Sequence, residues 1–370
     1  MKIVLAPDSF KESMSAAQAI AAMRAGVHDV QPDAECVGVP MADGGEGTVD
    51  AVVDALGGRH VSVEVQDALG RPVTARFGYV PDRRLAVIEM AAAAGLELIA
   101  PDERDVLRAS SFGVGQLIAS ALDLGAGEFI VGLGGSATND GGAGMLAALG
   151  AALLDADGRP LPPGGAALSN LHRIDLDTLD PRLASAGFRL ACDVTAPLLG
   201  PGGASAVFGP QKGATPADVA VLESALARFA RVAQAAQAET AGAGAAGGLG
   251  FALLEFLGAT ARPGVEVVAE TVGLEQALHG ARWVFTGEGS VDAQTMLGKT
   301  PFGVARVAAR TGARVAIFAG RVAEDASVLL ANGVDEIIGI TAEGTPLPQA
   351  LRDGPRALRQ ATAELCRRLT

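Results

Sequence analysis

Residues 128–149 read EFIVGLGGSATNDGGAGMLAAL: an apolar run to Val131, a glycine-rich turn from Gly132 to Gly142, then a helical pattern from Ala143 to Leu149. Strand, glycine turn and helix in this order make up the repeating unit of parallel α/β sheets. The order also aims several backbone N–H groups at the positive end of a helix dipole, where a phosphate binds. Glycine suits the turn because a Cβ blocks close approach of an anion and penalises positive φ. Asp140 complicates a pure anion site, since a carboxylate beside a phosphate is repulsive unless a cation lies between them. The segment therefore reads as a phosphate-plus-metal site. Gly134, Gly135, Ser136, Thr138, Asn139 and Gly141 face phosphate, and Asp140 holds the metal.

Outward from this stretch the alternation continues at both ends of the chain. Lys2 to Ala6 and Glu35 to Pro40 read as strands, with helical patterns over Ser15 to Val27 and Thr48 to Leu56. Near the C-terminus, Trp283 to Thr286, Ala313 to Ala319 and Glu336 to Ile340 are apolar runs separated by helical patterns at 303–310 and 323–331. The middle differs. Val61 to Val65 and Pro72 to Tyr79 flank a turn at Asp67 to Gly70, with Leu85 to Met90 as a third antiparallel strand. Ala217 to Ala241 reads as one long Ala-rich helix. The expected architecture is two-domain α/β. A flavodoxin- or Rossmann-like parallel-sheet domain is built from residues 1–60 and 281–370, a mixed α/β domain of residues 61–280 is inserted, and the active site lies in the cleft.

Composition narrows the function. The chain has 370 residues, 49 of them glycine, and a net charge of −13. That charge argues against a nucleic-acid partner, which is bound through excess Lys and Arg. No stretch of about 20 residues is free of charges and helix breakers, as a membrane span requires. Cys36, Cys192 and Cys366 are odd in number and far apart, the pattern of a reducing compartment, so a cytoplasmic location is expected. The histidines, His28, His60, His172 and His279, show no metal-ligand spacing, so acid–base work falls to carboxylates or lysines.

Several apolar runs end in clusters of Gly with acids, hydroxyls or Lys: APDSFKES (6–13), PMADGGEGT (40–48), GLGGSATNDGG (132–142), CDVTAPLLGPGGASAVFGPQKGA (192–214) and TGEGSVDAQTMLGKTPFGVA (286–305). Loops after the carboxyl ends of parallel strands line one crevice. This set, spread from residue 6 to 305, resembles the bacterial glycerate kinase family, whose members phosphorylate glycerate at its 2-hydroxyl. Glu12 and Ala196 stand where the family pattern more often has Gly and Asn. The resemblance implies ATP as co-substrate, Mg²⁺, D-glycerate as substrate and 2-phosphoglycerate as product. It does not specify oligomeric state; a monomer or small homo-oligomer is expected.

Individual residues take roles beside plainer alternatives. Asp193 follows an apolar run at a strand end and reads either as a turn aspartate or as the base that accepts the substrate hydroxyl proton, the role of catalytic aspartates in other kinases. We assign it the base. Lys11, with Ser9 beside it, faces the substrate carboxylate or the transferring phosphate, and Lys212 a further substrate group. Lys299 is a weaker candidate for the same electrostatic role, toward ATP. Asp43 and Glu46 are either turn formers or groups contacting glycerate or Mg²⁺. Glu288 competes with Asp140 as metal ligand. Gly298-Lys299-Thr300 imitates the end of a Walker A loop, but Ala293 occupies the position of its first glycine. Gly132 to Ala137 also fits the dinucleotide pattern G-x-G-x-x-A, with Asp155 downstream. The alternative function is therefore an NAD-dependent oxidoreductase of a small hydroxy acid. A non-enzymatic sensor is a third reading.

Overall fold

The computed structural model describes residues 1–369. Its strands are β1 (Lys2–Leu5), β2 (Glu35–Gly38), β3 (Arg59–Gln66), β4 (Pro72–Val80), β5 (Leu85–Glu89), β6 (Glu128–Gly132), β7 (Ala152–Leu154), β8 (Arg173–Asp175), β9 (Gly187–Ala191), β10 (Thr260–Arg262), β11 (Trp283–Val291), β12 (Arg314–Val322) and β13 (Glu336–Gly339). The chain divides into two compact units. One comprises Met1–Asp43, Asp50–Gly57 and Pro263–Thr370, and the other Gly44–Val49 and Gly58–Arg262.

The first unit is a five-stranded, all-parallel sheet in the order β13-β12-β11-β1-β2. Counted within the unit, this is the 2-1-3-4-5 order of flavodoxin-like folds, which reverses direction between β1 and β11. The strands are continuous apolar runs because both faces are covered. Ile3, Leu5, Trp283, Phe285 and Phe318 form one core with the helices Ala16–His28 and Leu347–Leu369. Val4, Ala6, Val284, Val315 and Ile317 form the other, with Gly264–Val272 and Thr300–Thr311. The helix after β1 begins where Ser15 and Gln18 form a reciprocal capping box.

The second unit carries a mixed six-stranded sheet, β10-β9-β6-β5-β4-β3. The β3–β4 and β4–β5 pairs are antiparallel, and β5, β6, β9 and β10 run parallel. The antiparallel meander expected over residues 61–90 is present. β7 and β8 form a separate antiparallel pair.

Four expectations about elements are corrected. The chain returns to the first unit at Pro263, ahead of residue 281, because Val265, Val268, Leu274 and Leu278 pack into that unit's core. The Ala-rich helix stops at Val232. Gln234 takes a left-handed φ of 52°, and the Glu255 carboxylate accepts the next free N–H groups, those of Ala236 and Gln237. The segment after β12 is a 3-10 helix, Glu324–Asn332, and β11 runs on past Thr286 to Val291.

Candidate functional site

In the first unit, the acids gather at the point where the sheet order reverses. Beyond β1 the chain keeps its pairing, with the Asp8 N–H donating to the Gly287 carbonyl at 2.9 Å. Beyond β2 the Met41 N–H donates to the Pro7 carbonyl, which brings Asp43 alongside. Asp8 is only 8% exposed. Its carboxylate accepts from the Ser9 N–H at 2.6 Å and from the Thr300 hydroxyl at 2.5 Å. Thr300 is the first residue of a twelve-residue helix whose N-cap, Lys299, makes no side-chain cap. Glu288, on β11, lies 3.9 Å from the Lys299 ammonium.

The electrostatics mark a shortage of positive charge. Burial, and then the like charge of Asp43, pushes Asp8 up to about 7. Burial pushes Glu288 up to about 8; Lys299 opposes this, and Asp8 and Asp43 reinforce it. Lys299 alone therefore does not neutralise three neighbouring carboxylates. Among the described residues no three His, Cys, Asp or Glu side chains converge as a ready-made metal site. Mg²⁺ does not require one, since it takes one or two carboxylates with waters and substrate phosphate oxygens. The donor set and the raised carboxylates fit such an ion. Asp292, a further acid of this region, is occupied in a capping box with Thr295.

Ser9 is half-buried and Lys11 exposed, in a tight turn closed by the Phe10 N–H to the Met14 carbonyl. Asp8 and Thr300 were not singled out from the sequence. The available signal was an acid directly after the first apolar run, overshadowed by Ser9 and Lys11.

In the second unit, the glycine-rich turn follows β6 as expected, but its anion site is filled from within. One oxygen of Asp140 accepts from the Ser111 N–H (2.8 Å), the Ser111 hydroxyl (2.9 Å) and the Gly144 N–H (3.1 Å). The other accepts from the Gly142 N–H at 3.0 Å. The Met145 N–H goes to the Ser111 hydroxyl. The first-turn donors of the short helix Ala143–Ala148 thus have internal acceptors. Asp140 is fully buried. It is the anion of this helix start, and the expectation that it holds a metal is corrected.

The phosphate-facing set shrinks for the same reason. Gly134 and Gly135 are exposed, whereas Ser136, Thr138, Asn139 and Gly141 are buried. The Asn139 amide donates to the Ser205 hydroxyl, and the Gly141 N–H to the Gly247 carbonyl. Gly135 has φ 72°, a left-handed value that glycine alone adopts without strain.

Lys212 is buried too, at 2% exposure, and donates to the Thr138 carbonyl at 2.7 Å. Burial pushes its ammonium down to about 7, with Asp140 opposing. It has no surface to offer a substrate, so the expected substrate contact is corrected. Asp193 is exposed, two residues past β9. β9 pairs with β6 in the register Gly132↔Ala191, so Asp193 and Gly134 leave the same edge of the sheet. Glu46 is exposed in the turn before Thr48.

The dinucleotide reading fails on this geometry. A second strand of the expected unit would lie parallel to β6, yet β7 pairs only with β8, antiparallel, and Asp155 closes a turn by accepting from the Asp157 and Arg159 N–H groups. The helix start that would hold a pyrophosphate is filled by Asp140.

The fold is an α/β one whose flavodoxin-ordered sheet has clustered acids, a lysine and a helix start at its switch point, where open α/β sheets bind their ligands. The profile of the glycerate kinase family matches residues 3–370. A glycerate kinase of Bacillus subtilis is 47% identical over 369 residues, covering 99% of this chain and 97% of the relative. A glycerate 2-kinase of Escherichia coli K12 is 46% identical, covering 95% and 93%. The crystal structure of a Salmonella typhimurium LT2 protein described as glycerate kinase 2 superposes with a TM-score of 0.92 at 47% identity, covering 100% of this chain and 98% of that one. The chain belongs to the glycerate kinase family.

Proposed function

We propose that this protein transfers the γ-phosphoryl group of ATP to the 2-hydroxyl of D-glycerate, giving 2-phosphoglycerate and ADP. Family membership over the whole chain carries the phosphotransfer reading. The 2-position draws its support from the 46% identity to the E. coli glycerate 2-kinase.

Phosphoryl transfer passes through a loose transition state, so the protein's work is positioning and charge stabilisation. Asp43 and Glu288, with Asp8 as a neighbouring charge, would hold Mg²⁺, which would neutralise phosphate charge. Lys299 adds positive charge at the start of its helix, and Lys11 and Ser9 take an anionic group of substrate. Gly134 and Gly135 present backbone to ATP phosphate. Asp193 accepts the proton of the attacking hydroxyl, for which a modest base held in place suffices. Glu46 is a weaker contact to glycerate.

Incubation with ATP, Mg²⁺ and D-glycerate, followed by chromatographic separation of 2- and 3-phosphoglycerate, tests the reading. Exclusive formation of the 3-isomer, or ATP hydrolysis without phosphoglycerate, overturns it.

A further inference from the structure

Among the buried polar side chains of the described residues, Lys212 is the only lysine, and the phosphotransfer reading leaves it unused. It reaches the glycine-rich turn from behind, out of the 3-10 turn Pro210–Lys212. Upstream, that turn is tied by the Leu96 N–H to the Gly135 carbonyl and the Ala137 N–H to the Ala94 carbonyl. Downstream it is tied by Asp140 to Ser111. Between these ties, Thr138 is gripped by Lys212 and Asn139 by Ser205.

Those two residues also carry unpartnered polar atoms. The Thr138 hydroxyl and the Asn139 side-chain carbonyl are buried without a hydrogen bond. Losing the Lys212 bond would add the Thr138 carbonyl to these unpartnered atoms, on two consecutive buried residues packed against Gly165 and Gly247. A buried ammonium is a costly way to hold one carbonyl. Lys212 also interacts with the buried Asp140 carboxylate two residues further along the turn, so one ammonium serves both the Thr138 carbonyl and the charge balance of the loop.

We propose that Lys212 is a positioning residue for ATP: anchored on the Thr138 carbonyl, it holds the turn so that Gly134 and Gly135 present their backbone to phosphate. This rests on the reading that these glycines face ATP. Lys212 acts through Thr138 and touches no substrate.

Lys212→Met keeps the volume and removes the charge. Its unfolding midpoint should fall, because the buried Asp140 carboxylate loses its neighbouring positive charge and the Thr138 carbonyl its donor, while in the folded variant KM for ATP rises on the order of tenfold and KM for glycerate holds. An unchanged KM for ATP overturns the proposal, as does a rise confined to glycerate. If Lys212→Met does not fold, Ser205→Ala, which releases the Asn139 amide, decides by the same readout. Gly135→Ala tests the underlying reading separately. If it leaves KM for ATP untouched, the glycines do not face ATP and the phosphate assignment fails, whatever Lys212 does.

Discussion

Ser111 donates both its backbone N–H and its hydroxyl to a single oxygen of Asp140, across 29 residues of sequence and out of reach of solvent. With the Gly142 and Gly144 N–H groups, these bonds make the carboxylate the internal counter-ion of a helix start. Hydrogen bonds to a buried charge contribute more than neutral ones, and donors left facing an amide lose their partner. Asp140→Asn should therefore destabilise the protein by on the order of 2–4 kcal/mol. Urea unfolding with and without excess Mg²⁺ checks this. A parent protein that Mg²⁺ stabilises beside an Asn variant that it does not would restore the metal-ligand reading.

Asp8 and Glu288 predict how stability depends on pH. Their folded values, about 7 and about 8, lie above the ordinary 3.8 and 4.5. Between those limits the folded chain holds more protons than the unfolded one, so these two groups make stability fall as pH rises. The salt-bridged Asp29 and Asp180, held below the ordinary value, contribute the opposite slope at lower pH. In EDTA the unfolding midpoint should decline from pH 5 to pH 8. Mg²⁺ should raise it more at pH 8, where the carboxylates are ionised, than at pH 5. A Mg²⁺ effect equal at both pH values would remove these acids from the metal site. Turnover should vanish in EDTA and return with Mg²⁺.

Glu12 has φ 62° in the Phe10–Met14 turn, a left-handed conformation that strains a residue with a Cβ. The glycine that the family resemblance leads one to expect at this position would adopt this conformation without strain. Glu12→Gly relieves the strain but adds freedom to the unfolded chain, so it should stabilise by up to about 1 kcal/mol. A loss of stability in urea titration would show that the glutamate side chain itself supports the turn.

The parallel sheet of the first unit was legible because Ile3, Val4 and Leu5, like Val284 and Phe285, are buried on both faces and leave an unbroken apolar run. The loops at strand ends followed from that. The use of Asp140 was not legible. An acid in a glycine turn looks the same whether its partner is a metal or a serine that the fold brings from residue 111. Lys212 was misread for a similar reason. Its surroundings in sequence are Gly, Pro and Gln, a surface composition, and only the packing of the 210–212 turn against Thr138 buries it. The end of the Ala-rich helix depends on Glu255, which no local pattern announces.

Asp193 is the sharpest test of the chemistry. It is exposed at the carboxyl end of β9, on the sheet edge from which the glycine-rich turn also departs. Asp193→Asn keeps size and turn-forming capacity but removes the proton acceptor. The loss should fall on kcat, by on the order of 10²- to 10⁴-fold, while KM for ATP moves little. Asp8→Asn provides the contrast. Asp8 is buried against Thr300 and pushed up to about 7, so if it were the base instead, parent kcat would drop below neutral pH on a limb absent from the asparagine variant's residual activity. Steady-state kinetics of both variants from pH 5.5 to 9 separate the two. A near-parental kcat for folded Asp193→Asn, with a collapse for Asp8→Asn, would move the base into the first unit and leave Asp193 as a turn residue.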